Sequence, residues 1–138
     1  MNNNTSATTD GIDSFDILIF SIGKTKFAFD MAQVGNLSEK PKKPAMGVTL
    51  ASFHEKIGFK GEKFKYKAEK VVSFLDGKND KAIIINSPED IVALSLKNIH
   101  PMPYLINFSS RKKAIWGATF IDGEIVLLVD LQKLWDTD

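Results

Sequence analysis

Few residues in this chain have the chemistry that catalysis or metal binding requires. There are two histidines, His54 and His100, and no cysteine. Without cysteine there is no disulfide, no thiolate metal site and no cysteine nucleophile. No sequence spacing pairs the two histidines as ligands, so neither is assigned to zinc or to proton transfer. Gly23-Lys24-Thr25 has the closing residues of a phosphate-binding loop. That loop needs a glycine five residues earlier, and Leu18 stands there inside an apolar run, so the triplet is read as a hairpin turn. Lys60 to Lys70 interleaves lysines with Phe64 and Tyr66. Rings stack on bases while lysines follow phosphates, so single-stranded nucleic acid is one reading. The plainer one is an edge strand or extended loop whose lysines discourage edge pairing. A net charge of +1 and a single arginine, Arg111, speak against specific nucleic-acid recognition. No acid, base and nucleophile form a constellation, so neither an enzyme nor a cofactor is expected.

What remains is a scaffold for contact. A length of 138 residues bounds the chain to one domain, with room for two small sub-barrels sharing a core. Residues 1–13 are polar and are expected to form a disordered tail, leaving 14–138 as the folded unit. The start lacks a charged segment followed by an apolar one, so it is not a signal peptide. No apolar run approaches the ~18 residues of a membrane span. These points predict a soluble cytoplasmic protein.

Phe15 to Ile22 reads as a strand, apolar at every position of Ile17-Leu-Ile-Phe20 and therefore covered on both faces. Lys26 to Phe29 pairs with it as a hairpin. Met31, Val34 and Leu37 recur every three residues. They form either a short helical turn or irregular strand packed on the core, or a partly exposed apolar strip that receives a partner. Ser38 to Pro44 is a polar, proline-spaced connection. Met46 to Ala51 reads as a strand. Ser52-Phe-His-Glu55 has the capping-box pattern of a short helix ending at Ile57, with Gly58 as its C-terminal cap. Val71 to Leu75 and Ala82 to Ile85 form a further hairpin across Asp76 to Asp80. Ser87 to Asp90 is a turn into a strand from Ile91 to Leu96. Two prolines make Ile99 to Tyr104 a crossing loop, because each removes a backbone donor. Phe108 to Lys113 is a polar turn.

The strongest local signal lies at the end. Asp122-Gly123 sits between two apolar runs and predicts a type I′ hairpin. The second run, Ile125 to Val129, is apolar throughout and predicts cover on both faces. Asp130 then caps one helical turn, Leu131 to Leu134. Val48 to Ile57 repeats the same order of strand, cap and one-turn helix. The count is about eight short strands and two very short helices, an all-β barrel or pair of barrels.

With these residues in hand the chain resembles the CheW-like family of chemotaxis coupling proteins. Phe15 to Ile22 with Phe27 to Val34 is similar to the family's opening hairpin and valine-centred segment. Ile99-His-Pro-Met-Pro103 is similar to its proline-rich link. Trp116-Gly117 through Asp122-Gly123 to Leu131 is similar to its closing hairpin and helix. The resemblance implies two interlocked five-stranded SH3-like barrels and no catalysis. It implies partners in a chemoreceptor (methyl-accepting) cytoplasmic tip and the regulatory domain of a CheA-type histidine kinase, with no nucleic acid and no direct membrane contact. By position, Leu18, Met31, Val34 and Leu37 match the receptor groove, and Asn36, Met46, Gly47 and Val48 match the kinase-facing side. On that assignment Val34→Asp would abolish receptor binding and leave the fold intact. About a dozen family residues, including a strand and an arginine, are missing before Val48. The first sub-barrel is therefore expected to be minimal, and a divergent adaptor with another signalling partner is the alternative.

Overall fold

The computed structural model describes residues 13–43, 45–58, 66–101 and 113–136. Ten strands build two sheets. They are β1 (Ser14–Ile22), β2 (Thr25–Asp30), β3 (Val34–Glu39), β4 (Thr49–Ser52), β5 (Glu69–Phe74), β6 (Lys81–Asn86), β7 (Asp90–Ser95), β8 (His100–Pro101), β9 (Ile115–Ile121) and β10 (Glu124–Val129). Two five-residue helices, α1 (Phe53–Ile57) and α2 (Leu131–Trp135), each follow a strand. The larger sheet runs β7-β1-β2-β10-β9-β8 and the smaller β3-β5-β6-β4. The fold is all-β, as expected, with ten strands among the described residues rather than about eight.

The two sheets share one wiring plan. In each, a central antiparallel pair (β1–β2, β5–β6) takes an antiparallel neighbour on one side (β7, β3). A parallel neighbour lies on the other side (β10, β4), and it leads straight into a short helix. The repeat of strand, cap and helix in the sequence is thus a repeat of whole sheets. The difference is that β10 is followed outward by β9 and β8, whereas among the described residues the smaller sheet stops at β4.

Strand alternation sends successive side chains to opposite faces, and β1 uses both. Leu18 and Phe20 join the central core between the sheets, which also takes Phe27, Phe29, Val72, Phe74, Ile83 and residues of both helices. Ile17 and Ile19 join a separate cluster with Ala28, Leu94, Val126 and Leu128, around which the larger sheet curls. The smaller sheet curls around only Val71, Ala82 and Ile84. Cover on both faces of β1 is as the sequence predicts. For β10 it holds except at one end: Leu127 and Val129 face the central core and Val126 and Leu128 the second cluster, while Ile125 is 55% exposed. Ile125 shares its face with Leu127 and Val129, so the cover is lost only at the start of the strand.

Turn chemistry follows the sequence closely. Asp122 (φ 52°) and Gly123 (φ 80°) both take the positive φ that a type I′ turn needs. Gly23 (φ 59°) opens the two-residue turn of the β1–β2 hairpin, with Ile22 paired to Thr25 across it. Asp130 caps α2 by accepting the Lys133 N–H at 3.0 Å. Gln33 braces the same corner, donating to Asp130 at 3.2 Å and accepting from the Leu131 N–H at 2.8 Å.

The expected capping box at α1 does not form: Ser52 makes no side-chain cap bond. Tyr66 supplies the acceptor instead, its hydroxyl taking the His54 N–H at 3.1 Å and lying 2.8 Å from His54 Nδ1. Burial pushes the Tyr66 phenol up to about 12, so it stays protonated as a donor. Tyr66→Phe would leave a helix-terminal N–H without that partner. The expected result is a loss of about 1–3 kcal/mol in urea denaturation; an unchanged midpoint would show that water replaces the hydroxyl at no cost.

Candidate functional site: the seam between the sheets

Met31, Val34 and Leu37 do not form one strip. Met31 to Gln33 is a single 3-10 turn capped by Asp30, and β3 begins at Val34. A bulge between Val34 and Asn36 then shifts the register on β5. The extra residue is Gly35, where a Cβ would meet the Phe74 carbonyl oxygen at 3.0 Å, so the close approach favours glycine. The result is a graded edge over the central core. Val34 is buried at 8% exposure opposite Phe74, Met31 packs half-buried on the same cluster, and Leu37 lies 42% exposed opposite Val72.

Leu18 needs correcting as a surface residue. At 1% exposure it is deep in the central core, because its face of β1 looks toward the smaller sheet. Val34 is also core, so Val34→Asp would place a carboxylate among apolar side chains rather than spare the fold. The seam therefore has Leu18 and Val34 as floor, and Met31 and Leu37 as rim. Ala32, Gln33 and the 65% exposed Leu75 adjoin it, with a shallow recess of about 110 Å³ that reaches Leu131.

Asn36, Met46, Gly47 and Val48 are not brought together. Asn36 is exposed on β3, at one edge of the smaller sheet. Met46, fully exposed, and Gly47 (φ 81°) form the turn before β4, at the opposite edge. Val48 turns inward, half-buried against the small cluster beneath β4.

Sequence reasoning missed a second apolar surface. Phe120 and Ile125 are exposed directly opposite one another on β9 and β10, with the His100 ring 5.7 Å from Phe120, while Trp116 lies 6.3 Å from the Phe15 ring. The alternation of Ile115–Ile121, with Ile115, Gly117 and Thr119 buried, held the signal. His100 thus borders an apolar face, and His54 serves the fold through Tyr66. Among the described residues no group of three or more His, Asp or Glu could hold a metal.

A cleft of about 470 Å³ opens beside the β1–β2 turn between Ser21, Lys67, Asn86 and Glu89. Its polar groups are largely engaged with one another. Lys26 Nζ is 2.7 Å from Glu89, which also accepts from the Ser21 hydroxyl, and Asn86 donates to the Ser21 carbonyl at 2.7 Å. The hydrogen bond from Lys26, then that from Ser21, holds the Glu89 carboxyl below its ordinary value of 4.5. A carboxylate held low in the folded state contributes stability above its unfolded pKa and loses it as pH falls through the folded one. Glu89→Gln should therefore flatten the acid side of the stability profile below about pH 4.5, as followed by thermal melts. An unaltered acid limb would remove Glu89 from the account.

Of Lys60 to Lys70, residues 60–65 lie outside the described residues; Lys67 and Ala68 form an exposed approach to β5. Residues 1–12 of the expected tail, 102–110 of the proline link and the polar turn, and Arg111 also lie outside. Asp13, at the end of that tail, accepts the Leu96 N–H at 2.8 Å. Among the described residues no helix is long and apolar enough to cross a membrane.

No protein-family model matches the chain, and no curated protein sequence matches it. Among solved structures it is similar to the scaffolding protein TtCheW from Thermoanaerobacter tengcongensis, with a TM-score of 0.67 over 90% of this chain and 94% of that one. Sequence identity is 13%, so the likeness is one of fold. It supports the CheW-like, two-sheet architecture and its divergence in sequence.

Proposed function

We propose that this chain is a non-enzymatic signalling adaptor of the CheW type, joining a chemoreceptor cytoplasmic tip and a CheA-type histidine kinase through protein–protein contacts. The observation that carries the reading is the fold likeness to a scaffolding protein along nearly the whole of both chains. The seam supports it, since Met31 and Leu37 offer an apolar rim over a packed floor, suited to the apolar face of a helical hairpin. An adaptor also needs a second surface, and the exposed Phe120 and Ile125 pair lies on the other sheet from Leu37. The reading places the protein in the cytoplasm, with neither nucleic acid nor membrane as a direct partner.

The test is a pull-down of the full chain against a receptor signalling tip and, separately, against the regulatory domain of the kinase. Binding to both supports coupling. Binding to the tip alone favours an adaptor whose shortened sheet has lost the kinase, a reading for which the missing strands beyond β4 are the specific observation. Binding to neither leaves the fold without this function.

A further inference from the structure

Sheet edges expose unpaired backbone groups, and proteins blunt them with charge, proline, bulges or very short strands. Three of the four edges here are blunted. The β3 edge carries a bulge at Gly35 and ends in Glu39, paired to Lys70. The β7 edge opens with Asp90. The β8 edge has two residues and ends in Pro101. The β4 edge, four residues long, has no charge, no proline and no bulge. From Ala45 to Phe53 the chain carries no charge and no proline, in a sequence that is 25% charged. Its pairing with β6 has no register shift. Among the described residues β4 has no strand on its other side, where the larger sheet places β9 against β10.

The backbone groups on that open side are self-complementary. Thr49 donates to the Asp80 carbonyl at 2.9 Å, so Thr49 and Ala51 turn their polar groups to β6. By the alternation of the ladder, Leu50 and Ser52 turn theirs outward. Val48 donates to the Ala45 carbonyl at 3.1 Å and keeps its own carbonyl for the same side. A two-fold axis at Leu50 pairs Leu50 N–H with the partner's Leu50 C=O in both directions, and Ser52 N–H with the partner's Val48 C=O. The half-buried Val48 and Leu50 over Val71, Ala82 and Ile84 gain cover from the same contact. We propose that the occupant of this edge is a second copy of the chain, joined antiparallel through β4 to make one continuous sheet of eight strands across the dimer. The absence of charge along Ala45 to Phe53 favours a like partner, because no like charges face one another across the axis. The proposal stands apart from the adaptor reading and does not need a receptor or kinase to bind.

The test is sedimentation equilibrium of the full chain over a wide concentration range, with amide hydrogen exchange at both ends of it. The expected result is a dimer in which the Leu50 and Ser52 amides are protected, and lose that protection on dilution. Thr49→Lys, at an exposed position, sets like charges on diagonal neighbours across the axis and should weaken the dimer about fivefold without changing the circular dichroism. Leu50→Pro removes two hydrogen bonds per dimer but none to β6, and should weaken it roughly thirtyfold. A single chain at every concentration overturns the proposal. So does a dimer that leaves Leu50 and Ser52 exchanging freely. The exchange measurement on the unaltered chain decides even where a variant fails to fold.

Discussion

Replacing Phe53 with alanine is expected to cost about 3–5 kcal/mol, as measured by urea denaturation. Phe53 is the first residue of α1 and is fully buried between the two sheets. Its ring centroid lies 4.8 Å from that of Phe20, 4.9 Å from Phe27 and 5.7 Å from Phe29, with the rings edge-on. Those three rings come from the larger sheet, whereas α1 follows the edge strand of the smaller one. One side chain therefore holds the halves together, adding edge-to-face ring contacts to its buried area. A domain of this size has a stability of only about 5–15 kcal/mol, so the variant stands close to unfolding. A loss under about 1 kcal/mol would mean that the sheets repack around the gap, and that the central core tolerates far more than its density implies.

Leu37→Asp and Val34→Asp are expected to separate binding from folding. Leu37 is 42% exposed on β3, so aspartate there keeps its charge in water and the fold survives. Binding to a receptor tip should fall about tenfold or more, the cost of losing one buried leucine from the contact. Val34 is 8% exposed within the central core, and aspartate there must either be buried charged or open the seam. Its expected effect is a destabilisation of several kcal/mol, which reduces binding only by reducing the folded fraction. Thermal melts and tip binding, measured on both variants, resolve the two. If Leu37→Asp folds and binds as the unaltered chain does, the receptor does not use this rim. If Val34→Asp folds normally and fails to bind, Val34 belongs to the contact after all.

The sequence by itself determined the features that depend on a few neighbouring residues. Asp122-Gly123 dictated its turn, because both central positions need positive φ and these residues accept it at low cost. Asp130 dictated the start of α2 through a bond to a backbone N–H three residues on. The unbroken apolar run from Ile17 to Phe20 dictated a strand covered on both faces. The all-β class followed from adding such segments together, and the order of its motifs supplied the resemblance. Only the tertiary structure decided what each face meets. Ile17-Leu-Ile-Phe20 and Ile125 to Val129 look alike as runs, yet the first is buried throughout and the second leaves Ile125 exposed at its start. Ser52 has the pattern of a cap, yet Tyr66, 14 positions along, takes the bond. Leu18 and Val34 became floor rather than surface because residues from β5, β6 and both helices close over them. Backbone dihedrals and caps are settled within a turn or two of chain. Burial is settled by residues distant in sequence, so a periodic pattern shows which residues share a face but not what covers that face.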